Sequence, residues 1–239
     1  MVTLSVVVPV KDEADNVGAL AQEIASHVAT ESAEIIFVDD GSTDGTAGRL
    51  CSLKAEIPAL RVLQHDKNFG QSRAVNTGVL AANGEIIVTL DGDGQNDPAD
   101  IPKLLRPLRS DNTGRLGMVA GVRTERQDAS NRRFASGVAN RFRRWILSDD
   151  AADSGCGLKA FRREVYLRLP YFDHMHRFLI ALVLRQGYEV QEVPVNHRPR
   201  LYGRSKYSNL HRALVGLVDT LGVRWLQRRF GGRADTREL

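Results

Sequence analysis

Asp91 and Asp93 stand one glycine apart in the stretch Ile86-Ile-Val-Thr-Leu-Asp91-Gly-Asp93-Gly-Gln95. Two adjacent carboxylates repel each other, so the pair persists only where a cation or a donor neutralises it. A hard divalent ion such as Mg²⁺ or Mn²⁺ fits, because it takes oxygen ligands and keeps positions open for substrate phosphates. Gly92 and Gly94 remove side-chain bulk, which lets the backbone turn and a phosphate come close. The same residues would also make a solvated turn, since Asp and Gly dominate turns on conformational grounds alone. A second acidic pair, Asp39 and Asp40, lies in Glu34-Ile-Ile-Phe-Val-Asp39-Asp40-Gly-Ser-Thr-Asp44-Gly-Thr. There Ser42 or Thr43 is a natural helix N-cap, and Asp44 is read as complementing a helix N-terminus. A basic set follows in Arg198-Pro-Arg200-Leu-Tyr-Gly203-Arg204-Ser205-Lys206. Arginine suits bidentate contact with phosphate oxygens, and lysine adds a point charge.

The elements that must position these groups are legible from periodicity. Leu4 to Val10 is an apolar, β-branched run like an interior parallel strand, and it ends in Lys11-Asp12-Glu13. Val17, Leu20, Ala21, Ile24 and Val28 recur at helical spacing, which predicts a helix from Asp15 to about Val28. Further strands are expected before Asp39, at Arg61–Gln64 and before Asp91, with a helix through Ala74, Val75, Val79 and Ala82. Asp97-Pro98 opens another helix through Leu108. This alternation predicts right-handed parallel crossovers and a doubly wound sheet, which gathers ligands outside the carboxyl ends of its strands. Later come a strand at Leu116–Gly121, a packed helix over Met175–Arg185 and a final strand over Tyr188–Val195.

The chain has 239 residues, a net charge of +4 and a pI near 9.3, which favours an anionic partner: nucleic acid, a phosphorylated ligand or a lipid surface. Arginines gather between Arg123 and Arg144 and between Arg198 and Arg212, so the partner surface is expected in the second half. Ser130–Leu147 reads as a basic amphipathic segment. The tail, Asn209–Phe230, sets Leu210, Leu214, Leu217, Leu221 and Trp225 near one face and ends in Arg228-Arg229. Such segments suit an anionic membrane surface, and a core-facing stripe with a solvated basic face is the plainer alternative. Cys51 and Cys156 give neither a disulfide framework nor a metal-ligand spacing, and Cys156 has no base nearby to make it a nucleophile. His174 and His176, at i, i+2, make a poor metal pair. No leader and no apolar run of spanning length is read, so the expected location is cytoplasmic, peripheral on the inner face of the cytoplasmic membrane.

Three ordered segments, Val6-Val-Val-Pro-Val-Lys-Asp-Glu13, Val38-Asp-Asp-Gly-Ser-Thr-Asp-Gly-Thr46 and Leu90-Asp-Gly-Asp-Gly-Gln-Asn-Asp-Pro98, resemble a family 2 glycosyltransferase of GT-A fold. More narrowly, they resemble its dolichol-phosphate mannosyltransferase-like branch, the polyprenyl-phosphate glycosyltransferases. The loop Arg200, Gly203, Ser205 and Lys206 matches the Arg-x-x-Gly-x-Ser-Lys pattern of that branch.

The resemblance implies an α/β, Rossmann-like GT-A domain with a mixed, mostly parallel sheet flanked by helices over residues 1–208, its nucleotide-sugar half at 1–115 and its acceptor half at 116–208. Residues 209–239 would form a basic amphipathic tail where many relatives carry two spanning helices. Pro9, Lys11, Glu13, Asp39, Asp40 and Gly92 would border the nucleotide, with Asp40 equally readable as an Asx-turn residue, while Asp91, Asp93 and Gln95 would hold Mg²⁺ or Mn²⁺. Arg200, Lys206 and Asp153 would serve the transfer, with Asp153 touching a sugar hydroxyl, and Arg123, Arg132, Arg133 and Ser136 would grip the acceptor phosphate.

The implied reaction is an inverting transfer from a UDP- or GDP-sugar to a polyprenyl phosphate, with no nucleic-acid partner. A second copy of the chain or a membrane protein could supply anchoring. Other readings from the residues are a transferase acting on a glycan or soluble acceptor, a nucleotidyltransferase, and a non-catalytic membrane-surface module that binds a nucleotide sugar.

Overall fold

The computed structural model describes residues 2–124, 143–200 and 209–232, with side chains from 215 onward in the last segment. Seven strands, β1 (Leu4–Val10), β2 (Ala33–Asp39), β3 (Leu60–Gln64), β4 (Ile86–Thr89), β5 (Leu116–Arg123), β6 (Lys159–Arg162) and β7 (Glu189–Val195), form one sheet in the order β3-β2-β1-β4-β6-β5-β7. The first four are mutually parallel, with β1 between β2 and β4. β6 runs antiparallel to both β4 and β5, and β5 pairs parallel with β7. The sheet is therefore mixed and mostly parallel, as expected, with β6 as its antiparallel strand.

Both faces of the sheet are covered, which explains why β1 reads as apolar sequence interrupted only by Ser5, whose hydroxyl donates to Glu34 at 2.7 Å. Leu4, Val6, Val8 and Val10 point into one core with α1 (Ala14–His27), α2 (Thr46–Ser52) and α4 (Ile101–Ser110). Val7, Ile36, Val38 and Ile87 point into the other, against α3 (Gln71–Ala81) and the helix Leu179–Arg185. The short helix Arg163–Leu167 (α5) precedes that helix (α6), and Asn209–Arg228 (α7) closes the described chain.

Two local expectations change. The Met175–Arg185 segment is a 3₁₀ turn, Met175–Arg177, followed by α6. Neither Ser42 nor Thr43 caps α2; Gly45 holds the N-cap position, and Ser42 turns back to donate to Asp39. Asp44 does serve helix N-termini, accepting from the backbone N–H groups of Ala14 and Thr46 at 3.1 and 3.0 Å.

α7 packs through Val223, Thr220 and Leu226, whereas Leu217, Val218, Leu221 and Trp225 remain exposed, the last at 58 %. The side chains of Leu210 and Leu214 lie outside the described residues. No helix among the described residues is long and apolar enough to cross a membrane.

Candidate active site

The carboxyl ends of β1, β2 and β4 form one edge, and the acidic pairs sit on it. At the β2 end, Asp39 is fully buried and accepts from Ser42 N at 3.0 Å, from Ser42 Oγ, and from Gln64 Nε2 at 3.2 Å. Asp40 accepts from Phe69 N at 2.8 Å and Gly70 N at 2.7 Å, and its Oδ1 lies 2.8 Å from His65 Nδ1. His65 in turn meets Thr77 Oγ1 at 2.9 Å. Asp40, expected to border the nucleotide, thus spends its carboxylate on the loop between β3 and α3. The rim above Asp39 is stitched by Lys11 Nζ to Gly41 O at 2.5 Å, Asp12 N to Ser42 Oγ at 2.8 Å and Thr43 N to Asp12 Oδ1 at 2.8 Å. Pro9 is buried in β1 opposite Val38, and Glu13 accepts from Asn16 at 2.6 Å.

At the β4 end, Asn96 Oδ1 accepts from Asp91 N at 2.9 Å and Asp93 Oδ1 from Gln95 N at 3.1 Å, which folds the Asp91–Asn96 segment into a tight loop. Gly94 provides the turn with φ +73°. A Cβ on Gly92 would run into Val10 Cγ1, so packing against β1 by itself requires that glycine. Desolvation, followed by the neighbouring Asp93 charge, pushes the Asp91 carboxyl above the usual carboxylate range. Gln95 directs its amide nitrogen to Arg198 O at 3.3 Å and His197 Nε2 at 3.4 Å.

Cations approach this acidic edge from the second half of the chain. Arg200 Nη2 donates to Asp93 Oδ2 at 2.6 Å and lies 3.7 Å from Glu13 Oε1. Arg123 forks onto Asp153, with Nε to Oδ2 at 2.6 Å and Nη2 to Oδ1 at 2.8 Å, so two residues expected to act separately on acceptor and sugar are one unit. Lys159, on β6, is buried and donates to Cys156 O; burial holds its pKa below the ordinary lysine value. Burial pushes the Cys156 thiol up, which agrees with a packed residue and not a nucleophile.

The arginines read from the sequence as a basic partner surface are, where described, largely paired. Arg198 forks onto Glu23 at 2.9 and 2.6 Å and reaches Asp97 at 2.7 Å, and Arg143 bonds Asp149 at 2.7 Å. Arg132, Arg133, Ser136 and Lys206 lie outside the described residues. His174 and His176 have separate partners, Asp219 and Ser72 respectively.

The oxygen donors fit a hard divalent ion: the carboxylates of Asp91 and Asp93 stand close enough for the charge of one to raise the other, and Arg200 shows that Asp93 accepts a cation. Among the described residues no group of three or more His, Cys, Asp or Glu is arranged to hold a metal by itself. Two carboxylates plus substrate phosphates is a usual way to hold Mg²⁺. Sequence reasoning missed Gln71, Gly157 and Lys159. Their roles come from strand pairing and loop packing, which no local pattern encodes.

A family model for glycosyl transferase family 2 matches residues 5–169. A dodecaprenyl-phosphate galacturonate synthase of Rhizobium johnstonii is 35% identical over 231 residues, covering 94% of this chain and 67% of that protein. An undecaprenyl-phosphate 4-deoxy-4-formamido-L-arabinose transferase of Enterobacter sp. is 34% identical over 232 residues, covering 93% of this chain and 69% of that protein. Among solved structures, glucosyl-3-phosphoglycerate synthase from Mycobacterium tuberculosis, in complex with Mn²⁺, UDP-glucose and glycerol 3-phosphate, matches with TM-score 0.69. It is 19% identical, with 98% of this chain and 82% of that chain covered, so the likeness is one of fold.

Proposed function

This chain belongs to glycosyl transferase family 2 and has the GT-A fold, and from that premise we propose that it transfers a sugar from a UDP- or GDP-sugar to a polyprenyl phosphate at the inner face of the cytoplasmic membrane. The observation that carries this reading is the convergence of Asp91, Asp93, Arg123 and Arg200 at one sheet edge. Similarity to two proteins named for polyprenyl-phosphate acceptors supports the acceptor class.

The nucleotide lies over the β1 and β2 ends, bordered by Pro9, Lys11, Glu13 and Asp39, with Asp40 holding the neighbouring loop. Asp91 and Asp93 hold a divalent cation, with Gln95 beside them. When bound, that ion supplies Lewis acidity to the departing diphosphate. The acceptor phosphate, with a second pKa near ~6, is already largely ionised at neutral pH, so its oxygen attacks the anomeric carbon without a dedicated base. The bond from that carbon to the diphosphate breaks on the opposite side, and the configuration inverts.

Arg200, with Lys206, neutralises charge on the leaving diphosphate. Arg123, oriented by Asp153, grips the acceptor phosphate together with Arg132, Arg133 and Ser136. The exposed apolar stripe on α7, beside Arg224 and Arg228, supports peripheral contact with an anionic leaflet.

The test is nucleoside diphosphate release from a panel of UDP- and GDP-sugars, with Mg²⁺ or Mn²⁺, with and without a short polyprenyl phosphate in detergent. Release that needs both one donor and the lipid, with a lipid-linked sugar as co-product, is the expected result. Inorganic diphosphate as product would instead mark a nucleotidyltransferase, and sugar on a soluble acceptor would overturn the lipid assignment.

A further inference from the structure

Asp91 is constrained by two residues that the reaction above leaves without a part. From the first residue of α3, Gln71 Nε2 donates to Asp91 Oδ1 at 2.8 Å. From the loop before β6, Gly157 presents bare backbone to the same carboxylate. A Cβ built there would lie 2.6 Å from Asp91 Oδ1 and closer still to Cγ and Oδ2.

Neither partner is free to drift. Gly157 O accepts from Thr89 Oγ1 at 3.0 Å, Cys156 O accepts from Lys159 Nζ, and Thr89 and Lys159 face each other across the antiparallel β4–β6 ladder. The strand that delivers Asp91 therefore also fastens the loop pressed against it. On the other side, Gly70 N donates to Asp40 Oδ2 at 2.7 Å and Ser72 Oγ lies 2.7 Å from His176 Nδ1, which fixes the helix turn on both sides of Gln71. The neighbouring glycine shows the contrast: a Cβ on Gly155 would sit 3.4 Å from Arg123 Nη2 and 3.7 Å from Asp153 Oδ1, an ordinary fit at worst slightly tight.

We propose that Gln71 and Gly157 are positioning residues for the reaction: the amide of one and the missing side chain of the other together fix the orientation in which the Asp91 carboxylate receives a divalent cation. The proposal rests on the assignment of Asp91 as a metal-binding carboxylate. Outer partners that orient a metal ligand commonly carry about 10–100-fold of metal affinity. Gln71 is exposed, so its bond to Asp91 matters little for folding and its effect falls on the site.

The experiment is a titration of the full chain with Mn²⁺ alone, following free Mn²⁺ by electron paramagnetic resonance, beside thermal melts. Gln71→Ala and Gly157→Ala are each expected to weaken Mn²⁺ binding by about 10–100-fold, Gly155→Ala to leave it unchanged, and Gln71→Ala to melt with the wild type. In an Asp91→Ala background, where the clashing carboxylate is gone, Gly157→Ala should cost no thermal stability. Wild-type Mn²⁺ affinity in Gln71→Ala and Gly157→Ala, with binding lost in Asp91→Ala, overturns the positioning role and leaves the metal site standing. Wild-type affinity in Asp91→Ala overturns both. If Gly157→Ala alone does not fold, Gln71→Ala and the Asp91→Ala/Gly157→Ala double variant decide the matter.

Discussion

Arg200 is bonded to Asp93, 2.6 Å from Nη2 to Oδ2, so the arginine assigned to the leaving diphosphate rests on a carboxylate assigned to the metal. Guanidinium and metal ion are alternatives at that oxygen, and the diphosphate is the natural second partner for an arginine displaced from it. Arg200→Ala should therefore leave Mn²⁺ binding as tight as in the wild type or roughly fivefold tighter, the equivalent of ~1 kcal/mol for a part-exposed pair. Turnover should fall by about 100-fold or more, as for other lost transition-state donors. Weaker Mn²⁺ binding in Arg200→Ala would show that the two cations do not compete.

The Arg123–Asp153 fork is nearly closed to solvent, with Asp153 the more buried partner at 4 % side-chain exposure. Asp153→Ala would leave the guanidinium without its counter-charge, at a cost of about 3–5 kcal/mol. Arg123→Met in the same chain should recover most of that loss, because an apolar side chain of similar reach needs no partner. Urea midpoints of the two single variants and the double variant check this; additive losses would contradict it.

Asp40 anchors Phe69 N, Gly70 N and His65 through one carboxylate. Asp40→Ala strands these donors, and a loss of about 3 kcal/mol is expected. His65→Ala should lose less, since both backbone donors keep their acceptor. Equal losses in the two variants would argue that the backbone bonds carry little.

The exposed stripe on α7 gives a stability-independent prediction. Leu221→Ser/Trp225→Ser should weaken sedimentation of the full chain with phosphatidylglycerol vesicles by roughly tenfold or more, from the apolar area lost. Because Leu221 and Trp225 are 53 and 58 % exposed, the melting temperature should not move. Unchanged sedimentation would place the membrane contact elsewhere.

Asp111 supplies a pH signature. Bonds from Thr113, Leu116 N and Arg162 hold its carboxyl down to about 2, led by the Thr113 hydroxyl. A folded-state pKa below the unfolded value means a contribution that is whole above pH ~4 and fades as pH falls from there toward about 2. Urea midpoints of wild type and Asp111→Asn should accordingly differ at pH 7 and draw together as pH falls from about 4 toward about 2. A constant gap down to pH 3 would mean that the hydrogen-bond geometry, and not the charge, carries the effect.

Much of this was legible before any coordinates. The apolar runs ending in Asp39 and Asp91 became β2 and β4 because a strand covered on both faces has few polar positions to interrupt it. Asp97-Pro98 marked the start of a 3₁₀ turn, Pro98–Asp100, that leads into α4, because the aspartate accepts from Ala99 N at 3.0 Å and proline needs no N–H donor there. Other features depend on the fold. Asp40 stands beside Asp39 at a strand end, and no local pattern shows that its carboxylate meets Phe69 N, Gly70 N and His65. Arg198 resembled a free basic side chain because Glu23 and Asp97, its two partners, lie far away along the chain.

The sequence by itself determined the strand ends, the acidic pairs on them and the class of chemistry they support, since each of these rests on local periodicity and residue type. Only the tertiary structure decided which charges are already paired, that Arg123 and Asp153 act as one unit, and that Gly157 lies against Asp91. The physical reason is that all three depend on contacts remote in sequence: Arg198 meets Glu23 across the fold, and the antiparallel insertion of β6 between β4 and β5 brings Gly157 to the β4 end, more than sixty positions away along the chain.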